Sequence, residues 1–536
     1  MHHPSFTSLV RSLSFAAVAI AASAATAEER EPAVATSDGR VRGTSSDGVD
    51  RFLGIPYGAP PVGNLRWRPP QPHGRWSGVR DATAFANHCP QLASPFGQAS
   101  TTEDCLYLNV FRPARDDQEG DEGDDEGDDE GHEGRLPVMV WIHGGALLVG
   151  ESDDYDPVRL VRHGVIVVTI NYRLGVLGFV AHPALTAESP DHASGNYGLM
   201  DQQAALRWVR RNIRSFGGDP SRVTIFGESA GGLSVHSHLA SPLSAGLFHR
   251  AIVESGAYSL TQPSLSQAEA QGQALADHVG CTDQTAECLR ASSVETLLAA
   301  LITASVVPDV DGHVLTQTIG ASFASGQFNR VPVIEGSNHD EWRLFVALDF
   351  DLVSGPLTPE QYVGAIAATL SVPIPVAEII AMSYPLANYP SPDLALSAVG
   401  TDAIFACNSR KVARLLSQHV PTYAYEFGDE DAPELFLPPV SFPYGSAHAS
   451  ELQYLFNMRS PIPTPGLTED QRRLARAMTT YWTNFARTGS PNWFGEPFWP
   501  AYESARDEMQ SLVPPVPAPE TGFALDHKCF IWTPTP

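Results

Sequence analysis

RVTIFGESAGGLSVHSHLA, residues 222–240, joins two kinds of sequence. Val223, Thr224, Ile225 and Phe226 are β-branched or aromatic and favour a strand. After Gly227-Glu228-Ser229-Ala230-Gly231 the residues turn small and apolar and suit a helix. A serine where a strand becomes a helix stands on strained backbone, and glycines two residues to either side leave room for the neighbouring chain. Its hydroxyl then projects above a sheet at a helix N-terminus, where the dipole favours developing negative charge. The pentapeptide fits G-x-S-x-G, a pattern short enough to arise in a plain tight turn. The strand before it and the helix after it favour a nucleophile.

The flanking sequence repeats this alternation. LPVMVWIHGG (136–145) and GVIVVTINYRLG (164–175) read as buried strands. DQQAALRWVRRNIRSFGGDP (201–220) reads as a helix, with Leu206, Val209, Ile213 and Phe216 at spacings of three and four. Gly217 and Gly218 stop it and Pro220 follows. HRAIVESG (249–256), VPVIEGSN (331–338) and PTYAYEF (421–427) are further apolar runs. Continuous apolar strands separated by helices predict an α/β fold with a mainly parallel sheet covered on both faces. Helix-rich inserts near 262–330 and 345–415 are expected over one end of the sheet.

A serine hydroxyl is a weak nucleophile and needs a base held in the right tautomer. In this topology the order is serine, acid, histidine. Downstream, NHDEW offers Asp340 and Glu341, and GSAHASEL offers His448 in a Gly- and Ser-rich loop between a strand and a helix. His236 and His238 lie on the helix after Ser229, His249 leads into a strand, His313 and His339 precede or abut the acid, and His527 is in the tail. All fit less well. Glu228, beside the serine, is read as a supporting residue whose side chain points away from Ser229. The tetrahedral intermediate needs backbone N–H donors, each worth about 3 kcal/mol. His143-Gly144-Gly145-Ala146 follows a buried strand and offers two, and Ala230 a third.

Composition narrows the class. With 34 basic and 61 acidic residues the net charge is −27, which disfavours nucleic acid as a partner. Twelve of the acidic residues fall in DDQEGDEGDDEGDDEGHEG (116–134), which reads as a solvated, disordered loop between two strands of one sheet rather than a calcium loop. Residues 1–27 read as a secretory signal, with Arg11, the apolar SFAAVAIAASA, and the small residues Ala25, Thr26 and Ala27 before EER. The apolar run of about 11 residues is too short for a bilayer that needs about 20, so a single exported domain from 28 to 536 without a stable membrane anchor is expected. Export permits disulfides. Six cysteines allow 15 connectivities. Sequence order suggests the local pairs Cys89–Cys105 and Cys281–Cys288, leaving Cys407 for Cys529. No Cys-x-x-Cys spacing points to zinc.

Ten segments in order, from about residue 38 to the C-terminus, resemble the type-B carboxylesterase and cholinesterase family of α/β-hydrolases. They include FLGIPYGAPPVGNLRWRPPQP, EDCLYLNV, VMVWIHGGA, NYRLGVLGF, GGDPSRVTIFGESAGG, NHDEW, GSAHASEL and KCFIW. The resemblance implies Ser229, Glu341 and His448 as the catalytic triad, choosing Glu341 over Asp340. It implies the N–H groups of Gly145, Ala146 and Ala230 as the oxyanion hole, supports the cysteine pairing, and makes Arg66–Glu103 and Arg173–Asp201 structural ion pairs. Ala146 stands where many members have a third glycine, narrowing the space for the acyl or alcohol group. Trp342 follows the acid where glycine is usual, and is read as a core aromatic. The loop PQLASPFGQASTTED (90–104) has no tryptophan to stack on a quaternary ammonium, which argues against choline esters. The expected function is hydrolysis of small-molecule carboxylic esters through an acyl-enzyme, with no cofactor or metal, and with Leu147, Leu148 and the inserts lining the pocket. A lipase, thioesterase or amidase would use the same triad. A non-catalytic adhesion module would lack one of its members.

Overall fold

The computed structural model describes residues 31–114, 134–300 and 306–532. Residues 1–27, read as a secretory signal, and the acidic run up to residue 133 lie outside the described residues.

Eleven strands form the central sheet: β1 (Thr44–Ser46), β2 (Val49–Pro56), β3 (Tyr107–Pro113), β4 (Leu136–Ile142), β5 (Ile166–Ile170), β6 (Gly218–Glu228), β7 (Arg250–Glu254), β8 (Val333–Asn338), β9 (Thr422–Phe427), β10 (Met509–Leu512) and β11 (Ala518–Glu520). Their spatial order is β11-β10-β9-β8-β7-β6-β4-β5-β3-β2-β1. Pairing is parallel from β10 through β5 and antiparallel at both margins, where β1–β3 and β11 sit. The mainly parallel sheet matches the expectation. The antiparallel margins escaped it, because β1 and β11 have only three residues each and β2 and β3 mix polar residues such as Asp50, Arg51, Asn109 and Arg112 among their apolar ones.

Alternation along β4 shows why both faces are covered. Val138, Val140 and Ile142 enter one core with Leu206, Val209, Leu233 and Val235. Met139 and Trp141 enter the other with Leu474, Met478, Trp482 and Phe485. The first core is closed by helices α1 (Tyr197–Asn212) and α2 (Ala230–Ala240), the second by α4 (Glu469–Thr488). Helix α3 (Cys407–Leu416), at the end of the expected 345–415 insert, packs on β8 and β9, with Val412 and Leu416 in the first core.

Helix α1 starts at Tyr197, four residues before the sequence pattern places it, because Tyr197, Gly198, Leu199 and Met200 are themselves buried. It tightens into a 3₁₀ turn over Ile213–Phe216 and stops at Gly217, whose φ is +88°. Gly218 and Pro220 then belong to β6, before a register irregularity at Val223. The 164–175 run is a shorter strand, β5, followed by a helical turn over Gly175–Phe179.

The six cysteines form Cys89–Cys105, Cys281–Cys288 and Cys407–Cys529. Three bridges mark a protein that folds in an oxidising, secreted or lumenal compartment. Cys407–Cys529 spans 122 residues and pins the C-terminal segment to α3. In the chain-entropy account a loop of that length contributes about 4–5 kcal/mol. Replacing both cysteines by alanine should lower the denaturant midpoint accordingly, whereas opening Cys281–Cys288, separated by 7 residues, should cost distinctly less. Equal losses from the two double variants would reject this ranking.

Candidate active site

β6 runs to Glu228 and α2 begins at Ala230, so Ser229 alone makes the turn. Its φ of 55° and ψ of −120° fall in a sparsely populated region. The glycines explain why the turn closes. A Cβ on Gly231 would lie 1.9 Å from the Ile142 carbonyl oxygen, and one on Gly227 would lie 2.6 Å from both that oxygen and Gly231. The Ser229 N–H is anchored to the Glu254 carbonyl at 2.8 Å.

Glu341 follows the end of β8 and is fully buried. Its Oε1 accepts from Ser255 Oγ at 2.5 Å and from the Asn338 N–H at 2.8 Å. Its Oε2 lies 2.5 Å from His448 Nδ1. The two loops are fastened a second time through Asp340, whose Oδ2 accepts from the Ser446 N–H at 3.1 Å and whose N–H donates to the Ser446 carbonyl at 3.2 Å. Arg343 pairs with the other Asp340 oxygen at 2.8 Å. Of the two adjacent acids, Glu341 therefore meets the imidazole and Asp340 binds the loop that carries it.

Ser229, His448, Gly144, Gly145 and Ala146 line one cavity of about 460 Å³. No described residue accepts a hydrogen bond from the N–H groups of Gly145, Ala146 or Ala230. Ala146 and Leu147 have φ of +56° and +61°. Left-handed backbone at two successive non-glycine residues is strain of the kind that concentrates at functional sites. The cavity wall includes Leu148, but Leu147 is buried in the first core cluster, which corrects the expectation that both leucines line it. The inserts contribute Leu344, Phe345 and Leu348.

Glu228 differs most from the sequence reading. Its carboxylate lines the cavity, with Oε1 3.1 Å from His448 Nε2. The two atoms are misaligned for a hydrogen bond, and neither has a hydrogen-bond partner among the described residues. Burial opposes charge on the His448 imidazole, but Glu228, Glu341 and the Glu341 hydrogen bond outweigh it and raise its pKa to about 9. Burial raises the Glu228 carboxyl to about 8, against the pull of His448. The base must be neutral to accept a proton, so kcat/KM should climb on the alkaline side of neutrality. Glu228→Gln removes the charge facing Nε2 and should move the acid limb of the pH–kcat/KM profile to lower pH. An unmoved limb would show that this carboxylate does not set the imidazole's proton affinity.

Sequence motifs passed over several contributors. Phe345 and Phe405 hold the His448 ring, with centroids 5.1 and 5.0 Å away. Trp342 packs on Phe345 at 4.5 Å and covers Gly400, where a Cβ would strike the indole at 2.1 Å. It thus belongs to the aromatic packing behind His448. The 90–104 loop lacks tryptophan but brings Phe96 into the cavity against Phe436. Glu451, whose carboxyl burial and Glu341 raise to about 7, accepts a hydrogen bond from Asn338 Nδ2 at 2.5 Å. Arg66–Glu103 and Arg173–Asp201 are ion pairs of 2.6 and 2.7 Å, buried away from this cavity. His236 and His238 are buried against Glu335 and Gln202.

A mainly parallel sheet with a serine on the strand-to-helix turn, and a carboxylate-held histidine lining the same cavity, defines an α/β-hydrolase. The carboxylesterase family model matches residues 30–520. Relatives include acylcarnitine hydrolase of Mus musculus, 36% identical over 91% of this chain and 88% of the relative. Cocaine esterase of Homo sapiens is 36% identical over 94% and 91%, and fumonisin B1 esterase of Sphingopyxis macrogoltabida 35% over 88% and 85%. The chain belongs to the carboxylesterase family and is a carboxylic ester hydrolase.

Proposed function

We propose that this chain hydrolyses small-molecule esters with Ser229 as nucleophile, His448 as base and Glu341 as the acid that orients it. The observation that carries this reading is the 2.5 Å contact of Glu341 Oε2 with His448 Nδ1 beside the strained Ser229. Glu341 holds the proton on Nδ1, which leaves Nε2 to accept. Ser229 Oγ attacks the ester carbonyl carbon as its proton passes to Nε2. The oxyanion is received by the N–H groups of Gly145, Ala146 and Ala230. The intermediate expels the alcohol, which takes the proton from His448, and leaves an acyl-serine. Water, deprotonated by the same nitrogen, attacks this ester and releases the acid. All charge development is met by groups of the chain itself.

The apolar wall of Phe96, Phe345, Leu348 and Phe436 suits an uncharged acyl or aryl group, and about 460 Å³ suits an ester of modest size. Relatives named for acylcarnitine, cocaine and fumonisin B1 have in common only an ester of a small molecule. The mature enzyme is exported after removal of residues 1–27, to the periplasm or beyond, and acts there without a membrane anchor or nucleic-acid partner. An organophosphate should inactivate it with one equivalent incorporated. Peptide mass spectrometry should find the label on Ser229, and a label on any other serine would overturn the assignment.

A further inference from the structure

A second cluster of ionisable groups lies beyond the Glu341 loop. His339 stands two residues before Glu341, Glu426 is at the end of β9, and His527 lies in the C-terminal segment two residues before Cys529. One donor atom from each lies within 4.8 Å of the other two. The two rings stand 5.3 Å apart. The far nitrogen of each is already held by a carboxylate: His527 Nδ1 by Asp402 at 2.6 Å, and His339 Nδ1 by Asp340 at 3.2 Å. That leaves Nε2 on both rings, and His527 Nε2 meets Glu426 Oε1 at 2.5 Å.

We propose that His339, Glu426 and His527 bind a divalent transition-metal ion of the zinc type through both Nε2 atoms and a Glu426 oxygen. Two imidazoles and a carboxylate select zinc-like ions over calcium or magnesium. Metal-bound histidines characteristically donate their other N–H to a carboxylate, which fixes the tautomer and ring direction. Asp402 and Asp340 stand in those positions. Charge favours a cation as well: Asp340, Asp402 and Glu426 are buried there and Glu520 adjoins Glu426, while Arg343 is engaged with Asp340. Binding releases the Nε2 proton of His527 to solvent. It also widens the His527–Glu426 contact from 2.5 Å to about 3.3 Å, the separation of two ligands on bonds of about 2.0 Å at the tetrahedral angle. The His339 side chain is 42% exposed, which gives the ion a path in and water a fourth position.

The ion would join three separate parts of the chain: the tail pinned by Cys407–Cys529, strand β9, and the loop leading to Glu341. It touches none of the reacting groups. Its effect is on stability and on how firmly Asp340, and through it the His448 loop, is held. The cluster of His88 with Glu151 at 3.1 Å and Asp153 at 2.9 Å differs in its donor set. That cluster offers one imidazole only.

The test uses the full mature protein, stripped with EDTA, desalted and titrated with Zn²⁺ and then Co²⁺. One equivalent of zinc should survive gel filtration, cobalt should give the visible absorption of a four-coordinate site, and zinc should raise Tm. His339→Asn, at a partly exposed position, should bind zinc about tenfold or more weaker. His88→Asn should bind like wild type. Hydrolysis of p-nitrophenyl acetate by each variant confirms that it is folded. Less than about a tenth of an equivalent retained by the wild type, or unchanged affinity in His339→Asn, overturns the proposal.

Discussion

Ser229→Ala is expected to lower p-nitrophenyl acetate turnover by about 10⁴-fold or more, the range seen when a triad serine is removed elsewhere. The folded state should hardly notice. The Ser229 hydroxyl makes no hydrogen bond with a described residue and does not cap α2. Alanine keeps the N–H that anchors the turn to Glu254. Alanine also has the same Cβ as serine, so the strained φ of 55° costs neither variant more than the other. The loss should therefore fall on kcat with Tm within a degree or so. Residual activity should come from the free donors near residues 145, 146 and 230 acting on bound ester and water. Equal turnover by wild type and variant would remove the acyl-enzyme route altogether.

Glu341→Gln should cost about 10³–10⁴-fold, by a different route. Oε1 faces two donors, Ser255 Oγ and the Asn338 N–H. A glutamine keeps its carbonyl oxygen there, because turning the amide would set N–H groups against N–H and O–H donors. Its NH₂ then faces His448 Nδ1. That nitrogen must become the acceptor, so the ring proton moves to Nε2 and the ring can no longer take the serine proton. Loss of the carboxylate also removes the charge that stabilises the imidazolium. Asp340→Asn should be much milder, since Asp340 meets Ser446 and Arg343 rather than His448. If Asp340→Asn proved the more damaging of the two, the acid would be misassigned. The Glu228→Gln profile separates a third effect, because it changes the proton affinity of Nε2 without disturbing the Nδ1 partner.

These two variants probe what was most legible in the chain. Gly-Glu-Ser-Ala-Gly is local: four strand-forming residues, a turn, and helix-compatible residues lie within one short stretch. The steric need for Gly227 and Gly231 follows from that turn. The order of serine, acid and histidine is likewise a property of the linear chain, as are the buried strands, whose apolar runs have no other stable place than between two layers. The choice of Glu341 over Asp340 came from resemblance, and three-dimensional placement gives it a physical cause in the 2.5 Å contact with His448.

Other features depend on which way a side chain turns once distant segments meet. Ser255 reaches Glu341 across 86 residues and Asn338 reaches Glu451 across 113. Glu228 sits beside the serine in sequence, yet its carboxylate is directed at His448 from the far loop. Leu147 turns into the core while Leu148 faces the cavity, neighbours in the loop after β4 that fall on opposite sides of it. His527, read as a tail residue, is buried between Asp402 and Glu426 because the Cys407–Cys529 bridge draws the C-terminus against β9. Sequence by itself determined the sheet and the elbow, and offered Ser229, Asp340 or Glu341, and His448 as candidate reacting groups, since each of these rests on local propensity and chain order. Tertiary structure alone decided what surrounds those groups, because burial and side-chain direction are set by packing between residues that the chain keeps far apart.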